Sequence, residues 1–396
     1  MNTQMMPADP TRALCNFSVS DEKLTKKAID GALLSKADWE RWPVQERAAV
    51  FLKAADLLSS DAYRFKVMAA TMLGQGKTTW QAEIDCIGEM CDFWRFNARD
   101  YALLLERLNE DLTCPKNVWN SIHSRALDGF VLAVSPFNFT SIGGNLASAP
   151  AIVGNTVAWK PSSKSILSNY LVYECLEEAG LPPGVIQFIP GPHETVVNTC
   201  LQSEWLAGVH FTGSTNAFQS IWQSVALNIN SYRQFPRLVG ETGGKNYHVV
   251  HESADPDHVA MNTVRAAFEY QGQKCSACSR LYIPKEMWES GGGGVKEKMI
   301  RIVNEMSIAT SPIDLLTSFI GPMIDEPSVQ RCLNIVKKYH DQGKVLTGER
   351  IKDSQALRPF IVELSPGDLE KEIMTQEIFG PVLAVIPYEE PWESVL

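Results

Sequence analysis

Three polar side chains of this 396-residue chain sit in segments where a backbone can approach a ligand closely. They are Asn138 in Ser135-Pro-Phe-Asn-Phe139, Glu241 in Gly240-Glu-Thr-Gly-Gly-Lys-Asn246 and Cys275 in Gly272-Gln-Lys-Cys-Ser-Ala277. In kind they are an amide donor, a carboxylate and a thiol, side chains suited to covalent and proton-transfer chemistry. Each follows an expected strand or lies among glycines. Taken singly, each has an ordinary explanation: cysteine is among the most buried residue types, asparagine after a strand is a turn former, and a glutamate before Gly-Gly is a solvated cap. Their occurrence together with a nucleotide-cradling sheet is what points to a site.

That sheet is expected between Gly129 and about Gly240. Short β-rich runs alternate there with helical stretches: Phe130–Val134 then Ile142–Val153, Thr156–Trp159 then Lys164–Ala179, Val185–Ile189 then Glu194–Leu201, and Val209–Thr212 then Thr215–Leu227. Four consecutive strand–helix pairs predict an α/β fold with a doubly wound parallel sheet. Upstream, Asp21 to Glu110 reads as helices, with Pro43 placed for a first turn and Thr79–Leu108 as one or two helices. Beyond Gly240 a second α/β region begins, with strands near Tyr247–Val250, Leu281–Pro284 and Val382–Pro387 and a flexible Gly291–Gly294 run.

Composition removes several classes of function. A net charge of −10 works against a nucleic-acid partner, and no apolar run approaches the roughly 18–20 residues that span a bilayer, so no membrane role is expected. Met1 to Arg12 does not read as a secretory or transit segment, and nine scattered cysteines do not suggest a disulfide framework. Three local patterns are weaker than they look. Gly74-Gln-Gly-Lys-Thr78 lacks the earlier glycine and the preceding strand of a phosphate loop, so a helix–helix turn is expected and an ATP-dependent role for Lys77 is the poorer reading. Cys275-Ser-Ala-Cys278 has dithiol spacing without a thioredoxin-like context. His248 and His251 would face opposite sides of a strand with nothing to complete a metal site, and no metal is expected.

Seven segments occur in an order and at a spacing that resemble the aldehyde dehydrogenase superfamily. They are Pro136-Phe-Asn-Phe139, Trp159-Lys-Pro-Ser162, Gly180-Leu-Pro-Pro-Gly184, Phe211-Thr-Gly-Ser214, Glu241-Thr-Gly-Gly-Lys245, Gly272-Gln-Lys-Cys275 and Glu377-Ile-Phe-Gly-Pro381. Within it, Ser135–Asn145 and Ala267–Arg280 most resemble the branch that oxidises L-glutamate γ-semialdehyde to L-glutamate in proline catabolism, and Ala147 stands where most relatives carry a Lys. The resemblance implies a variant Rossmann sheet with N-terminal helices over 1–114 and 129–241 as the NAD-binding domain. It further implies an oligomerisation hairpin at 115–128, a homodimer, and a second α/β catalytic domain over 242–396.

The resemblance also assigns roles. Cys275 would be the thiolate nucleophile, Asn138 with the Cys275 N–H the oxyanion donors, and Glu241 the base that activates the hydrolytic water. Ser135, Phe137, Lys160, Ser162, Gly213, Ser214, Glu377 and Phe379 would hold NAD, with Gly213 and Ser214 at a strand-to-helix turn suited to a pyrophosphate. Ser163 stands where relatives often carry a Glu, so that position does not specify NAD over NADP. Phe139 would pack on the aldehyde's aliphatic chain and Ser276 would bond its carboxylate, making a small-molecule aldehyde the partner. Family members continue past Glu377–Pro381 through a carboxylate-clamping loop and a C-terminal strand, so the second domain is expected to be incomplete. The alternatives are a non-catalytic NAD-binding remnant or a dehydrogenase for another semialdehyde. The compartment implied is the mitochondrial matrix for a eukaryotic source and the cytoplasm otherwise.

Overall fold

The alternation of β-rich and helical runs after Gly129 folds into a five-stranded parallel sheet in the computed structural model, which describes residues 1–110, 112–291, 293–389 and 391. The chain opens with a two-stranded sheet, β1 (Asn2–Met6) and β2 (Asp9–Phe17). The helices α1 (Glu22–Arg41), α2 (Val44–Ser59), α3 (Arg64–Gln75), α4 (Thr79–Ala82) and α5 (Glu89–Glu110) follow, with a π-helical turn at Glu83–Gly88. Asp21 caps α1 by accepting from the Leu24 N–H at 2.8 Å.

The first sheet contains β3 (Phe130–Val134), β4 (Thr156–Lys160), β5 (Ile186–Phe188), β6 (Leu206–Thr212) and β7 (Arg237–Glu241) in the spatial order β5-β4-β3-β6-β7. All four pairings are parallel. Between the strands run α6 (Thr140–Ile152), α7 (Ile166–Ala179), α8 (His193–Leu201) and α9 (Thr215–Leu227). Alternate residues Phe130, Leu132 and Val134 pack with α1, α8 and α9 through Ile29, Val196, Val197, Ile221 and Val225. The intervening Val131 and Ala133 are equally buried, and α6 lies against β3, β4 and β6. A strand buried on both faces reads as a continuous apolar run, which is why Phe130–Val134 shows no polar alternation. Because the chain leaves β3 in one direction and returns to its other side at β6, the crevice at their carboxyl ends is a topological switch point.

The second sheet has the order β10-β11-β12-β9-β8, built from β8 (Asn246–Val249), β9 (Cys278–Pro284), β10 (Val345–Arg350), β11 (Leu357–Glu363) and β12 (Val382–Tyr388). Only β10 and β11 pair antiparallel. Its helices are α10 (Pro256–Phe268), α11 (Lys285–Glu289), α12 (Val295–Glu305), α13 (Glu326–His340) and α14 (Glu372–Thr375). One core joins α10 and α12 to the sheet through Val264, Phe268, Met299 and Val303, and another joins α13 through Val329, Cys332 and Val336.

The two sheets belong to separate units. The first takes Met1–Gln4, Ala13–Gly74 and Ala82–Thr242, and the second takes Met5–Arg12, Gln75–Gln81 and the chain from Gly243. Of the stretch 1–114, the first unit leaves out Met5–Arg12 and Gln75–Gln81. Gln75–Gln81 joins the second unit, where the Tyr270 hydroxyl donates to the Gln75 carbonyl and the Gln81 amide donates to that of Phe319. The stretch 115–128, expected as an oligomerisation hairpin, carries among the described residues a turn at 116–117 and no strand. A two-stranded ribbon with no third strand buries too little to hold itself. The stretch is tied both nearby, where Asn109 accepts from the Ile122 N–H at 3.0 Å, and far along the chain, where Gln234 Nε2 donates to the Asp128 carbonyl at 2.8 Å. Gly292, within the expected glycine loop, lies outside the described residues.

Leu132 has no exposed surface at the centre of the first sheet. Leu132→Ala is expected to destabilise this unit by about 2–5 kcal/mol, read as a lower urea midpoint. Asp21→Ala should remove only about 1 kcal/mol through loss of the α1 cap.

Candidate active site

In the first unit the expected site residues share one edge. Register pairs Val134 with Lys160 and with Phe211, and Thr212 with Glu241. The segments after β3 and β6 and the ends of β4 and β7 thus form a row at the carboxyl side of the sheet. Ser135 is buried, and its hydroxyl accepts from Trp159 Nε1 at 3.0 Å. Asn138 is 4% and Phe139 8% exposed, while Phe137 is half-buried. What holds this turn is the start of α6. Thr140 lies in a buried hydroxyl chain, 2.9 Å from Thr71 and 3.0 Å from Ser168, and Ser141 bonds Glu89.

Lys160 ends β4 with 8% of its surface exposed. Burial pushes its ammonium below the usual lysine range, with Glu194 pulling the other way. Among the described residues it makes no hydrogen bond and no ion pair. A buried cation left in that state is suited to ligand hydroxyls or phosphates. Ser162 is half-buried in the following turn and accepts from the Lys164 N–H at 3.3 Å. Gly213 donates its N–H to the Glu241 carbonyl at 3.1 Å, and a Cβ on it would strike the Phe211 ring. Ser214 caps α9 by accepting from the Ala217 N–H at 3.3 Å, leaving the first turn of that helix open to an anion. The Glu241 side chain is exposed at the end of β7.

Cys275, Ser276, Glu377 and Phe379 belong to the second unit. Cys275 is half-buried and follows a left-handed turn: Tyr270 has φ 53°, Gln271 φ 57° and Gly272 φ 64°. The backbone of Gly380 approaches Gly272 so closely that no Cβ fits between them. The Cys275 carbonyl accepts from Asn246 Nδ2 at 2.6 Å, which fixes the peptide beyond the thiol. Ser276 is exposed on a cleft of about 340 Å³ bordered by His248, Arg265, Glu269 and Lys274. Lys274 and Arg265 bond Glu269 at 2.8 and 3.2 Å. Burial pushes the Glu269 carboxyl up, but these two bonds outweigh it and hold the group below its ordinary range. Cys278 is different in kind: it packs in the core, and burial pushes its thiol to about 11.

Glu377 lies against the loop after Glu241. It accepts from the Gly244 N–H at 3.3 Å, and Gly243 leaves no room for a Cβ beside its carboxylate. Burial raises the Glu377 carboxyl, with Gly244, Lys245 and Arg331 opposing. Lys245 is pushed down to about 8 by burial and by Arg280, and donates to the Ile373 carbonyl at 2.9 Å. Phe379 has φ 55°, and Arg331 holds the Ile378 and Phe379 carbonyls at 2.8 and 3.4 Å. The reading from sequence missed Asn246, Lys245 and Arg331. Two of them directly follow the Gly243-Gly244 pair, where close packing is a visible signal, whereas Arg331 on α13 carries none. His248 bonds Thr263 and His251 bonds Ser253, and among the described residues no cluster of three or more His, Cys, Asp or Glu could hold a metal.

The chain is similar to known proteins along nearly its whole length. The sequence pattern of the aldehyde dehydrogenase family matches residues 3–395. A delta-1-pyrroline-5-carboxylate dehydrogenase of Agaricus bisporus is 46% identical over 393 residues, covering 98% of this chain and 69% of that protein. The mitochondrial enzyme of the same name from Homo sapiens is 44% identical over 395 residues, covering 98% and 68%. The NAD-bound crystal structure of the corresponding Mycobacterium tuberculosis enzyme superposes with a TM-score of 0.91 at 40% identity, covering 100% of this chain and 71% of that one. With this match along nearly its whole length, the chain belongs to the aldehyde dehydrogenase family.

Proposed function

We propose that this protein oxidises L-glutamate γ-semialdehyde, the ring-opened form of 1-pyrroline-5-carboxylate, to L-glutamate in proline breakdown, with NAD as the acceptor. The observation that carries the reading is the 46% identity over 393 residues to an enzyme named for that substrate. The chain keeps the thiol, amide and carboxylate in segments 135–139, 240–246 and 272–277.

Cys275 is the nucleophile. Its thiolate adds to the aldehyde carbon and forms a thiohemiacetal whose oxygen carries the developing charge. The Asn138 side-chain amide and the Cys275 N–H donate to that oxygen. When bound, NAD supplies the hydride acceptor for this adduct. The residues present suit that cofactor: Lys160 is a buried cation without a protein hydrogen bond among the described residues, Gly213 and Ser214 open the first turn of α9, and Glu377 is a carboxylate for ribose hydroxyls. Glu241 takes a proton from the water that hydrolyses the Cys275 thioester, releasing the acid and restoring the thiol. Phe139 packs on the aliphatic chain and Ser276 donates to the substrate carboxylate. Phe137 and Ser135 line the cofactor groove, Ser162 flanks Lys160, and Phe379 orients the nicotinamide end.

The same reading makes the protein a homodimer, with the exposed Val118 and Trp119 as contact residues. Its compartment is the mitochondrial matrix in a eukaryotic source, in keeping with the names of the human and mouse relatives, and the cytoplasm in a bacterial one.

NADH formation with the semialdehyde tests the proposal. Cys275→Ala should abolish turnover while NAD still binds; undiminished turnover refutes the mechanism, and NAD binding without turnover in the unaltered protein refutes the catalytic reading. Asn138→Ala should lower kcat by about 10²–10³-fold, the effect of losing one oxyanion donor. Because the Glu377 carboxyl is raised, it protonates at a higher pH than an ordinary carboxylate. KM for NAD should therefore rise on acidification earlier than a normal glutamate would allow, and Glu377→Gln should remove that dependence.

A further inference from the structure

Lys77 has no exposed surface, and its ammonium lies 4.5 Å from the centroid of the Tyr270 ring. Tyr270 is equally buried, and its hydroxyl donates to the Gln75 carbonyl at 2.8 Å. The same short turn therefore grips Tyr270 at both ends, the ring through a cation and the hydroxyl through a backbone carbonyl. Gly76 makes the turn possible, with φ 72° and the Pro7 and Pro322 rings packed where a Cβ would stand.

Tyr270 needs such a grip. It and Gln271 are consecutive non-glycine residues in the left-handed region, which is sterically disfavoured for a residue with a Cβ. Strain of that kind persists only where the surroundings over-determine it. A desolvated cation–π pair opposes that strain. Other bonds complete the clamp. Gln271 donates to the Leu357 carbonyl at 3.1 Å, and Gln273 accepts from the Ile324 N–H at 3.0 Å. Two residues after Gln273 comes Cys275. A lysine without exposure is an expensive way to fill space, since an apolar side chain of like volume packs without the desolvation penalty.

We infer that Lys77 is a positioning residue for Cys275: its ammonium over Tyr270 holds the left-handed turn that aims the thiol. This rests on the reading of Cys275 as nucleophile, and it places Lys77 in the machinery of attack and not on a phosphate.

The test compares Lys77→Met and Lys77→Arg with the unaltered full chain. Iodoacetamide alkylation is followed against pH by peptide mass spectrometry, with the exposed thiol of Cys114 as internal reference. Lys77→Met both relaxes the turn and removes a positive charge from the interior of the unit that carries the thiol, so the Cys275 midpoint should move upward. At neutral pH its alkylation should slow about tenfold, the effect of one pH unit in that midpoint. Cys114 alkylation and NAD affinity should stay within about twofold, and Lys77→Arg should restore most of the rate because it keeps the cation. A Cys275 profile in Lys77→Met that superimposes on the unaltered protein overturns the inference, as does ATP affinity that Lys77→Met abolishes. If Lys77→Met does not fold, Lys77→Gln, which also removes the cation from the Tyr270 ring, takes its place. It should shift the Cys275 profile in the same direction, and an unchanged profile there also overturns the inference. A Lys77-dependent profile in a protein that never forms NADH keeps the positioning role and defeats the dehydrogenase reading, and NADH formation with a Lys77-independent profile does the reverse.

Discussion

The structure depends on one constraint of parallel β-sheets: every strand must end on the same edge. Register carries Val134, Lys160, Phe211 and Glu241 into one row, so residues more than a hundred positions apart share an edge. The central strands β3 and β4 are buried at every position and have few demands beyond being apolar. Chemistry is confined to the turns, where the chain leaves the sheet and its polar groups meet solvent or ligand.

The second unit solves a different problem. Two thiols three residues apart are held differently: Cys278 packs in the core and burial pushes it to about 11. Cys275 instead follows Tyr270–Gly272, three left-handed residues against the Gly380 backbone, with Asn246 on its own carbonyl. The loop of Glu377 and Phe379 packs on the same turn through the Gly380 backbone, which ties it to the segment that carries Cys275. Strain in one is supported by close packing of the other.

Much of this was legible in the sequence because the signals were local. The strand–helix alternation after Gly129 located β3 to β6 and α6 to α9 within a few residues, with α9 at Thr215–Leu227 as read, whereas the largely exposed β7 was given no range. The glycine-flanked segments stood out for the same reason. What was not legible depends on partners distant in sequence. β1 and β2 form from a stretch with no clear alternation. The hairpin expected at 115–128 has no third strand to stabilise it among the described residues. Lys77 resembled a phosphate ligand because its glycines are visible in the sequence, whereas the aromatic ring above it lies 193 residues away. Nor does any propensity rule place Tyr270 and Gln271 at positive φ; only the neighbouring Gly272 hinted at a tight turn.

The account stands on sulfur attack at carbon, and trapping the acylated enzyme tests it most directly. Glu241→Gln protein, mixed with NAD and L-glutamate γ-semialdehyde and quenched in acid, should yield by mass spectrometry a Cys275 peptide carrying the glutamyl group as a thioester. One equivalent of NADH should form with it. NADH formed while the Cys275 peptide stays unmodified, or the adduct found on another cysteine, would contradict the account.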